Sequence, residues 1–272
     1  MLKTAIAAAL LLITLGCQPR SVPSPKADQE TSQVVPKIVD LSYAFDDRTI
    51  YWSAHEKFQH IQVSFGKTPG GYFYSSYNFA GSEHGGTHMD APIHFSEGKM
   101  TVDQLPIERH IGQGFKISVA DKVAKDPDYS ITAADIQTWE KSRGLSIPAG
   151  AIVLVHTGWG KHWGDRKSYM GTESMEEDAE RHFPGIARDA AEFLANERKV
   201  SMVGIDTASL DHGPSKDFLT HQVLNGANVA GLENVANLDQ LPESGYLVLA
   251  LPMKIGGGSG APTRVVALLE MK

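Results

Sequence analysis

The stretch from His84 to His94 constrains the fold of this chain more than any other, because it combines metal-binding side chains with helix-breaking residues. It reads HGGTHMDAPIH and places three histidines and one aspartate within eleven residues. Gly85-Gly86 weakens a helix, and Pro92 is not tolerated in a helix interior. We therefore predict a glycine turn followed by a short extended segment. This excludes the helical His-Glu-x-x-His metal motif.

The extended segment is predicted to place His88 and Asp90 on the same side, because side chains alternate along extended backbone. Gly85-Gly86 permits the turn that folds His84 back towards them. Imidazole and carboxylate are ligands of borderline divalent metals such as zinc and manganese. The pattern thus predicts a metal site formed by His84, His88 and Asp90. The alternative reading is a polar loop whose histidines are merely solvated.

The N-terminus has the pattern of an export signal. Lys3 precedes an apolar run, Ala5–Leu15, which is too short to span a bilayer as a stable helix. The small residue before Cys17 resembles a bacterial lipoprotein signal, in which the cysteine is lipidated and becomes the new N-terminus. We expect residues 1–17 to be this signal, and the protein to be exported and anchored in a membrane, facing the periplasm or cell exterior. An ordinary signal peptide cleaved nearby is the alternative.

Composition limits the rest of the chain. Residues 18–36 are rich in Pro, Ser, Gln and charge and are predicted to be a flexible tether, whereas residues 37–272 are long enough for one domain. Cys17 is the only cysteine in the sequence. This excludes an intramolecular disulfide, a thiolate metal site and a cysteine nucleophile in the domain. The formal net charge of -7 argues against nucleic-acid binding.

Alternation of apolar residues predicts several strands. Within His60–Phe65, Ile61, Val63 and Phe65 are expected to share one face. Gly71–Phe79 alternates too, and we expect most of its aromatic residues to lie in the core, with one or two lining a pocket beside His84. Further strands are predicted at Lys37–Tyr43, Phe115–Ala120, Ala151–Thr157, Val200–Asp206, Tyr246–Leu251 and Arg264–Leu269.

Local signals also predict three helices. Thr132 is an N-cap with Asp135 three residues later, and Gly144 stops this first helix after Arg143. The other two helices are expected at Pro184–Arg198 and from Ser215 to about Asn225. Trp159–Gly164 is predicted to be a loop whose two tryptophans form either a lid or an interface patch. The mixed order of strands and helices indicates an α/β or α+β fold.

The pattern His-x-Gly-Thr-His-x-Asp-x-Pro-x-His resembles the signature of the metal-dependent cyclase family. Val39–Ser42, Ile205–Thr207 and His221–Glu233 also look like landmarks of that family, so the resemblance spans about Val39–Leu269. It implies the swivelling β/β/α fold, a mixed α/β architecture in which helices flank a central barrel-like sheet. It also implies a homodimer.

The same resemblance implies an activity and roles for individual residues. Family members hydrolyse a carbon–nitrogen amide bond in small substrates such as N-formylkynurenine and isatin, and they require one or two divalent metal ions, zinc or manganese. Carried over to this sequence, His84, His88 and Asp90 match the ligands of a first metal, His221 and Glu233 match those of a second, and His94 matches the general acid/base.

Metal chemistry is consistent with this implied activity. A divalent metal lowers the pKa of bound water from about 15.7 towards 7. An uncoordinated histidine that titrates near neutrality can then transfer a proton to the leaving nitrogen, and His94 is the best candidate. The chain contains no Gly-x-Ser-x-Gly elbow, so acyl-enzyme chemistry has no support. Aromatic residues such as Tyr43, Trp52 and Tyr72 favour a flat aromatic substrate.

Two other functions fit parts of the pattern. His88, Asp90 and His221 also match the facial triad of non-haem iron oxygenases, although His84 and Glu233 would then be surplus ligands. A lipid-anchored protein that binds a metal or small ligand without catalysis is the second alternative. His94 discriminates against this second alternative, because a storage site has no use for an acid/base group beside the metal.

Overall fold

A computed structural model of the chain describes residues 36–53 and 57–269. These residues belong to one compact unit, Val35–Lys272. The predicted signal at residues 1–17 and nearly all of the predicted tether lie outside the described residues. No helix in the described part of the chain is both long enough and apolar enough to cross a membrane.

Most of the regular structure is β-sheet. The strands are β1 (Lys37–Asp40), β2 (Gln59–Lys67), β3 (Phe73–Ala80), β4 (His88–Asp90), β5 (Ile111–Ser118), β6 (Ser130–Ile131), β7 (Ile152–His156), β8 (Gly185–Ile186), β9 (Met202–Ile205), β10 (Ala230–Glu233), β11 (Tyr246–Pro252) and β12 (Gly260–Leu269). The helices are α1 (Ala120–Val123), α2 (Ala133–Arg143), α3 (Arg166–Met170), α4 (Arg188–Glu192) and α5 (Leu219–Gly226). A π-helical turn, Phe193–Arg198, continues α4, and single 3-10 turns lie at Pro92–His94, Ile107–His110, Trp159–His162 and Leu238–Gln240.

Seven strands close into a barrel-like sheet. Their order is β12, β11, β5, β7, β9, β10 and β4, and β4 pairs back onto the first residues of β12. β5, β7, β9 and β10 run parallel to one another, whereas the pairs that involve β4, β11 and β12 are antiparallel. β1 adds to the far end of β12. The mixed α/β barrel expected from the family resemblance is therefore confirmed.

The barrel wall separates two hydrophobic cores, and β7 illustrates why. Ile152 and Leu154 belong to the core that contains Met89 and Leu232, whereas Val153 and Val155 belong to the core that includes residues of the surrounding helices. Both faces of the strand are buried, so its sequence is a continuous apolar run rather than an alternating one. This property made Ala151–Thr157 recognisable as a strand.

The helix predictions agree with the structure where the signals are local. Thr132 and Asp135 form a reciprocal capping box at the start of α2, and Gly144 ends the helix with φ 61°. In the structure, the helix predicted at Pro184–Arg198 begins only at Arg188, because Gly185–Ile186 pairs with β6 as a short parallel strand. The helix predicted from Ser215 likewise begins only at Leu219, since Phe218 has a left-handed backbone with φ 50°.

The β2–β3 hairpin contradicts two expectations. Most of its aromatic residues are not in the core: Phe65, Phe73 and Phe79 each expose about 60% of their surface. A bulge between Gln62 and Ser64 also shifts the register. As a result, Phe65 pairs opposite Ser75 while Ile61 pairs opposite Asn78, which places Phe65 and Ile61 on different faces.

The two tryptophans of the Trp159–Gly164 segment have separate roles in the structure. Trp159 is buried and its indole N–H donates a hydrogen bond to the carbonyl of Tyr169 at 2.8 Å. Trp163 stacks on Tyr43 with 3.9 Å between ring centroids. Trp159 is therefore a core residue, and neither a lid nor an interface patch describes it.

Candidate metal centre and active site

The glycine turn and β4 arrange the first three candidate ligands as predicted. His88 and Asp90 extend from the same side of β4, while Met89 between them points into the barrel core. Gly86 adopts φ +58°, a backbone conformation that favours glycine. A β-carbon at Gly85 would lie only 2.2 Å from the ring of Tyr51. The turn therefore depends on both glycines.

Glu233 and His221 reach the same place from other elements. Glu233 lies directly opposite His88 in the antiparallel pair of β10 and β4. Gly231 lies opposite Asp90 in this pair, so no side chain competes with the Asp90 carboxylate. His221 comes from α5, the helix that precedes β10. The fold thus brings together all five residues that the sequence nominated as ligands.

Asp90 lies at the centre of this group of five. Its Oδ1 is 2.7 Å from His84 Nδ1 and 3.2 Å from His88 Nε2, and its Oδ2 is 3.3 Å from His221 Nε2. Glu233 spans the other side, with Oε1 at 3.1 Å from His221 Nε2 and Oε2 at 3.5 Å from His88 Nε2. Two groups that can each hold a metal ion share the Asp90 carboxylate: His84, His88 and Asp90, and Asp90, His221 and Glu233.

Hydrogen bonds outside this group fix the orientation of each imidazole. His88 Nδ1 donates to the carbonyl of Gly86 at 2.9 Å, and His221 Nδ1 donates to Asp211 Oδ2 at 2.6 Å. His84 uses its Nε2 for a 2.9 Å hydrogen bond with Ser259 Oγ. In their neutral forms His88 and His221 therefore each turn the Nε2 lone pair towards the carboxylates of Asp90 and Glu233.

The electrostatics of the site favour a positive charge between these groups. Burial lowers the pKa of His88, but the carboxylates of Asp90 and Glu233 outweigh it and raise that pKa to about 9. Burial likewise opposes protonation of His221, yet its carboxylate neighbours raise its pKa well above the ordinary value. Burial and the nearby Asp90 raise the pKa of Glu233. The site therefore retains protons unless another cation replaces them.

The residues fit a divalent metal ion. Three imidazole nitrogens and two carboxylates form a nitrogen and oxygen donor set of the kind that zinc and manganese accept. His88 Nε2 is buried and has no hydrogen-bond partner among the described residues. A buried polar atom of this kind requires an explanation, and a metal ligand role provides one. The ligand roles of the five residues remain predictions.

His94 is beside the candidate ligands but outside their hydrogen-bond network. Its ring stacks on His84 with 3.8 Å between centroids, and the two ring nitrogens form no hydrogen bond within the described chain. Burial lowers the pKa of His94 to about 3, although Asp90 opposes the shift. The ring is thus neutral at pH 7. This low pKa does not support the expectation that His94 titrates near neutrality.

A cavity of about 460 Å³ opens above these groups. His84, His88, His94, His221 and Glu233 line one side of it. Trp52, Phe95 and Phe218 contribute an aromatic wall, in which the Phe218 ring is 5.3 Å from Phe95 and 5.8 Å from Trp52. Of the three aromatic residues expected to favour a flat substrate, only Trp52 lines the cavity, since Tyr43 stacks on Trp163 and Tyr72 is exposed on the hairpin.

Several residues that support the site were not recognised from the sequence. Asp211 holds His221 from a position ten residues earlier, across an irregular segment with no periodic signal. Arg166 and Arg181 donate to the carbonyls of Tyr51 and Trp52, which line the cavity. These contacts depend on tertiary structure, so spacing along the chain does not reveal them.

Comparison with known proteins identifies the family. The family model named Cyclase matches residues 39–212, more than half of the chain. The chain belongs to the cyclase family. Among curated relatives, the isatin hydrolase of Roseibium aggregatum is 35% identical over 195 residues, which cover 69% of this chain and 72% of that protein. The kynurenine formamidase of Paracidovorax citrulli is 32% identical over 190 residues, covering 68% of this chain and 76% of that protein.

Solved structures of cyclase-family proteins have the same fold. Isatin hydrolase A from Ralstonia solanacearum superposes with a TM-score of 0.78 at 34% identity, covering 86% of this chain and 92% of that one. An isatin hydrolase bound to the product analogue thioisatinate gives a TM-score of 0.79 at 30% identity, covering 86% and 93% of the two chains. These relatives indicate metal-dependent amide hydrolysis as the activity of this chain.

Proposed function

We propose that this protein is a metal-dependent hydrolase that cleaves the carbon–nitrogen bond of a small cyclic amide of the isatin type. The observation that carries the proposal is the convergence of three imidazole nitrogens and two carboxylates on one side of an aromatic-walled cavity. The similarity to isatin hydrolases supports the substrate class.

The chain supplies the remaining parts of a hydrolytic site. His84, His88, Asp90, His221 and Glu233 would hold a divalent cation, and the chemistry that the cation would supply is a water activated as a nucleophile and a polarised amide carbonyl. Trp52, Phe95 and Phe218 bind the flat ring of the substrate and exclude water from it. The neutral His94 ring accepts a proton from the attacking water and returns it to the amide nitrogen as the carbon–nitrogen bond breaks.

A second candidate substrate is N-formylkynurenine, a linear formamide. The similarity to kynurenine formamidases at 32% identity favours it, and the same donor set suits either amide. The two substrates differ in shape, because isatin is a rigid bicycle whereas the formamide carries a flexible amino-acid tail. Purified protein assayed with both should give the larger kcat/KM for isatin. A larger value for N-formylkynurenine would replace the isatin assignment.

Metal dependence provides the test of the mechanism. Chelation should abolish hydrolysis, and added zinc or manganese should restore it. His88→Ala should lose at least one metal equivalent by elemental analysis, because it removes a buried nitrogen that faces both carboxylates. His182→Ala, at a surface histidine paired with Asp128, is the matched control and should keep its metal. Full metal content in His88→Ala would contradict the ligand assignment.

We also propose that the metal is zinc or manganese and that the site holds two ions. The donor set contains no sulfur, which suits both metals. Sharing of the Asp90 carboxylate between two groups of candidate ligands supports two ions. A non-haem iron site built on His88, Asp90 and His221 would leave His84 and Glu233 without a role. Elemental analysis of the purified protein measures both the identity and the number of ions.

We propose further that a second copy of this chain covers the β2–β3 hairpin, giving a homodimer. Phe73, Tyr77 and Phe79 of β3 share one face with His60 and Phe65 of β2, according to the strand register. This aromatic face of the hairpin contains three phenylalanines that are about 60% exposed. Large exposed apolar patches usually mark interaction sites, and a two-stranded hairpin is marginally stable on its own.

The N-terminal pattern supports a proposed location. Lys3, the apolar run Ala5–Leu15 and Cys17 are typical of a lipoprotein signal, so we propose that the protein is exported and anchored in a membrane by a lipid on Cys17. Cys17→Ala should move the protein from the membrane fraction to the soluble fraction. A wild-type protein that is already soluble, with its N-terminus beyond Cys17, would contradict this proposal.

A further inference from the structure

The glycine-rich segment, residues 256–260 with the sequence GGGSG, leads into the first residue of β12 and contacts the outer edge of His84. A β-carbon at Gly260 would lie 2.5 Å from His84 Cε1, so the segment approaches the ring as closely as a glycine permits. The preceding residue, Ser259, places its Oγ 2.9 Å from His84 Nε2. His84 is therefore held at the nitrogen that faces away from Asp90.

Glu83 determines the direction of this hydrogen bond. Its Oε2 accepts three hydrogen bonds from the segment: from Ser259 Oγ at 2.7 Å, from Ser259 N at 3.0 Å and from Gly260 N at 3.3 Å. Because a carboxylate only accepts, the Ser259 hydroxyl hydrogen points to Glu83. The lone pairs of Ser259 Oγ are then available to accept the Nε2–H of His84.

We propose that Glu83 and Ser259 form a positioning relay that keeps the proton of His84 on Nε2, so that Nδ1 presents its lone pair to a metal ion. The inference rests on the proposed function, since it concerns a ligand of the proposed metal. A carboxylate thus holds the N–H of His84 through Ser259, just as the Asp211 carboxylate holds the Nδ1–H of His221 directly. A carboxylate behind a ligating imidazole fixes its orientation and raises its basicity as a ligand.

The relay also affects His94. The His94 ring stacks on the face of His84 with an interplanar angle of 17°. A His84 ring that is free to rotate would no longer support His94 in the cavity. Loss of the relay should therefore weaken metal binding first and reduce turnover as a consequence, even though Glu83 and Ser259 are not assigned to contact the reacting atoms.

Cobalt titration tests the relay without any need for substrate. Metal-free full-length wild type, Ser259→Ala and Glu83→Gln would be titrated with Co²⁺ in competition with a chelator of known affinity. We expect each variant to bind one cobalt equivalent about 10–100-fold less tightly than wild type, the usual effect of removing such a partner. The visible absorption bands of bound cobalt should shift in both variants, because one nitrogen ligand is weakened or turned.

Asp103→Asn is the matched control. Asp103 Oδ1 also braces the glycine-rich segment, by accepting a hydrogen bond from Gly257 N at 2.9 Å, but this contact does not involve His84. This variant should bind cobalt like wild type and show unshifted bands. If it weakens binding as much as Ser259→Ala does, Glu83 and Ser259 merely brace the segment and the relay is overturned.

The outcomes separate the relay from the proposed function. If wild type binds cobalt and Ser259→Ala and Glu83→Gln bind it with the same affinity and spectrum, the relay is wrong while the metal site stands. If wild type itself binds no cobalt, zinc or manganese, the proposed function fails and the relay fails with it. Weaker cobalt binding in both variants, with wild-type affinity in Asp103→Asn, supports the relay.

Discussion

His94 differs from the other histidines of the site in what surrounds it. His84, His88 and His221 each have one nitrogen committed to a partner outside the donor set and the other directed at a carboxylate. The ring nitrogens of His94 form no hydrogen bond in the described part of the chain, yet the ring lines the cavity. This division suits a site in which three imidazoles bind metal and a fourth transfers protons.

Replacement of His94 should therefore separate catalysis from metal binding. His94→Gln keeps a polar side chain of similar size but removes the proton acceptor. We expect turnover to fall by about 10²–10⁴-fold, the usual contribution of general acid–base catalysis, while metal content stays at the wild-type level. Turnover number and elemental analysis of the same preparations measure the two effects.

The pH dependence of the wild type gives a second measurement at His94. The ring is neutral above its pKa of about 3 and loses its ability to accept a proton as the pH falls through that value. Its contribution should thus stay constant between about pH 5 and 8, and the ratio of wild-type to His94→Gln turnover should not change in that range. Near-normal turnover in the variant, or joint loss of metal and activity, would refute the proposed role.

The start of α2 shows how an element distant from the site is stabilised. The Thr132 hydroxyl accepts from the Asp135 N–H, and Asp135 Oδ2 accepts from the Thr132 N–H at 2.9 Å. Tyr129 and Lys122 also donate hydrogen bonds to this carboxylate. Burial raises the pKa of Asp135, but these donors outweigh it and lower the pKa to about 2.

Asp135→Ala should lower the free energy of unfolding by about 1–2 kcal/mol at pH 7, since it removes one half of the capping box and the charge that the donors stabilise. The folded pKa is below the unfolded value of about 3.9, so the stabilisation is complete above that value and is lost as the pH falls through about 2. Denaturant unfolding of wild type and variant at pH 7 and pH 3 measures the difference.

Asp121→Ala, at an exposed acid in the first turn of α1, is the control for Asp135→Ala. Its effect on the free energy of unfolding should be within about 0.5 kcal/mol of zero, as for most surface substitutions. A difference between wild type and Asp135→Ala that is absent at pH 7, or that grows towards pH 3, would show that the ionised carboxylate does not stabilise α2.

Elements that depend on local chemistry were predictable from the sequence, and elements that depend on tertiary packing were not. The capping signals of α2 lie within a few residues of its ends, so its limits were predicted correctly. The alternation of Gly71–Phe79 indicated a strand, but alternation does not reveal what covers a face. For this reason the aromatic residues of β3 were wrongly assigned to the core.

The same distinction applies to the site. The turn and strand from His84 to Asp90 followed from two glycines and the alternation of extended backbone, and the structure has this arrangement. The family resemblance nominated His221 and Glu233, which spacing alone does not connect to β4. Residues behind the ligands, such as Asp211 and Ser259, had no sequence signal because only the closed barrel brings them near.

Closure of the barrel determines where the candidate active site lies in the whole molecule. β4 has only three residues, yet it completes the barrel by pairing with β10 on one side and β12 on the other. The candidate ligands His88, Asp90 and Glu233 lie on these closing strands, and β12 begins directly after Ser259. The β2–β3 hairpin, in contrast, pairs with none of the described barrel strands and exposes its aromatic face.

The last prediction concerns that aromatic face of the hairpin. Phe65 and Phe73 contact each other edge to face at 5.2 Å, and both are about 60% exposed. A stable interface takes roughly 800 Å² from each partner, and a fully buried aromatic side chain accounts for about 150–250 Å². About 60% of each of these rings is still exposed, so the two rings supply part of what a dimer needs. Phe65→Ser combined with Phe73→Ser should therefore convert a wild-type dimer into a folded monomer in sedimentation velocity at micromolar concentration.

Tyr74→Ser, on the opposite face of the same hairpin, is the control and should leave the dimer intact. A monomeric wild type, or a dimer that only Tyr74→Ser dissociates, would exclude this face as the interface.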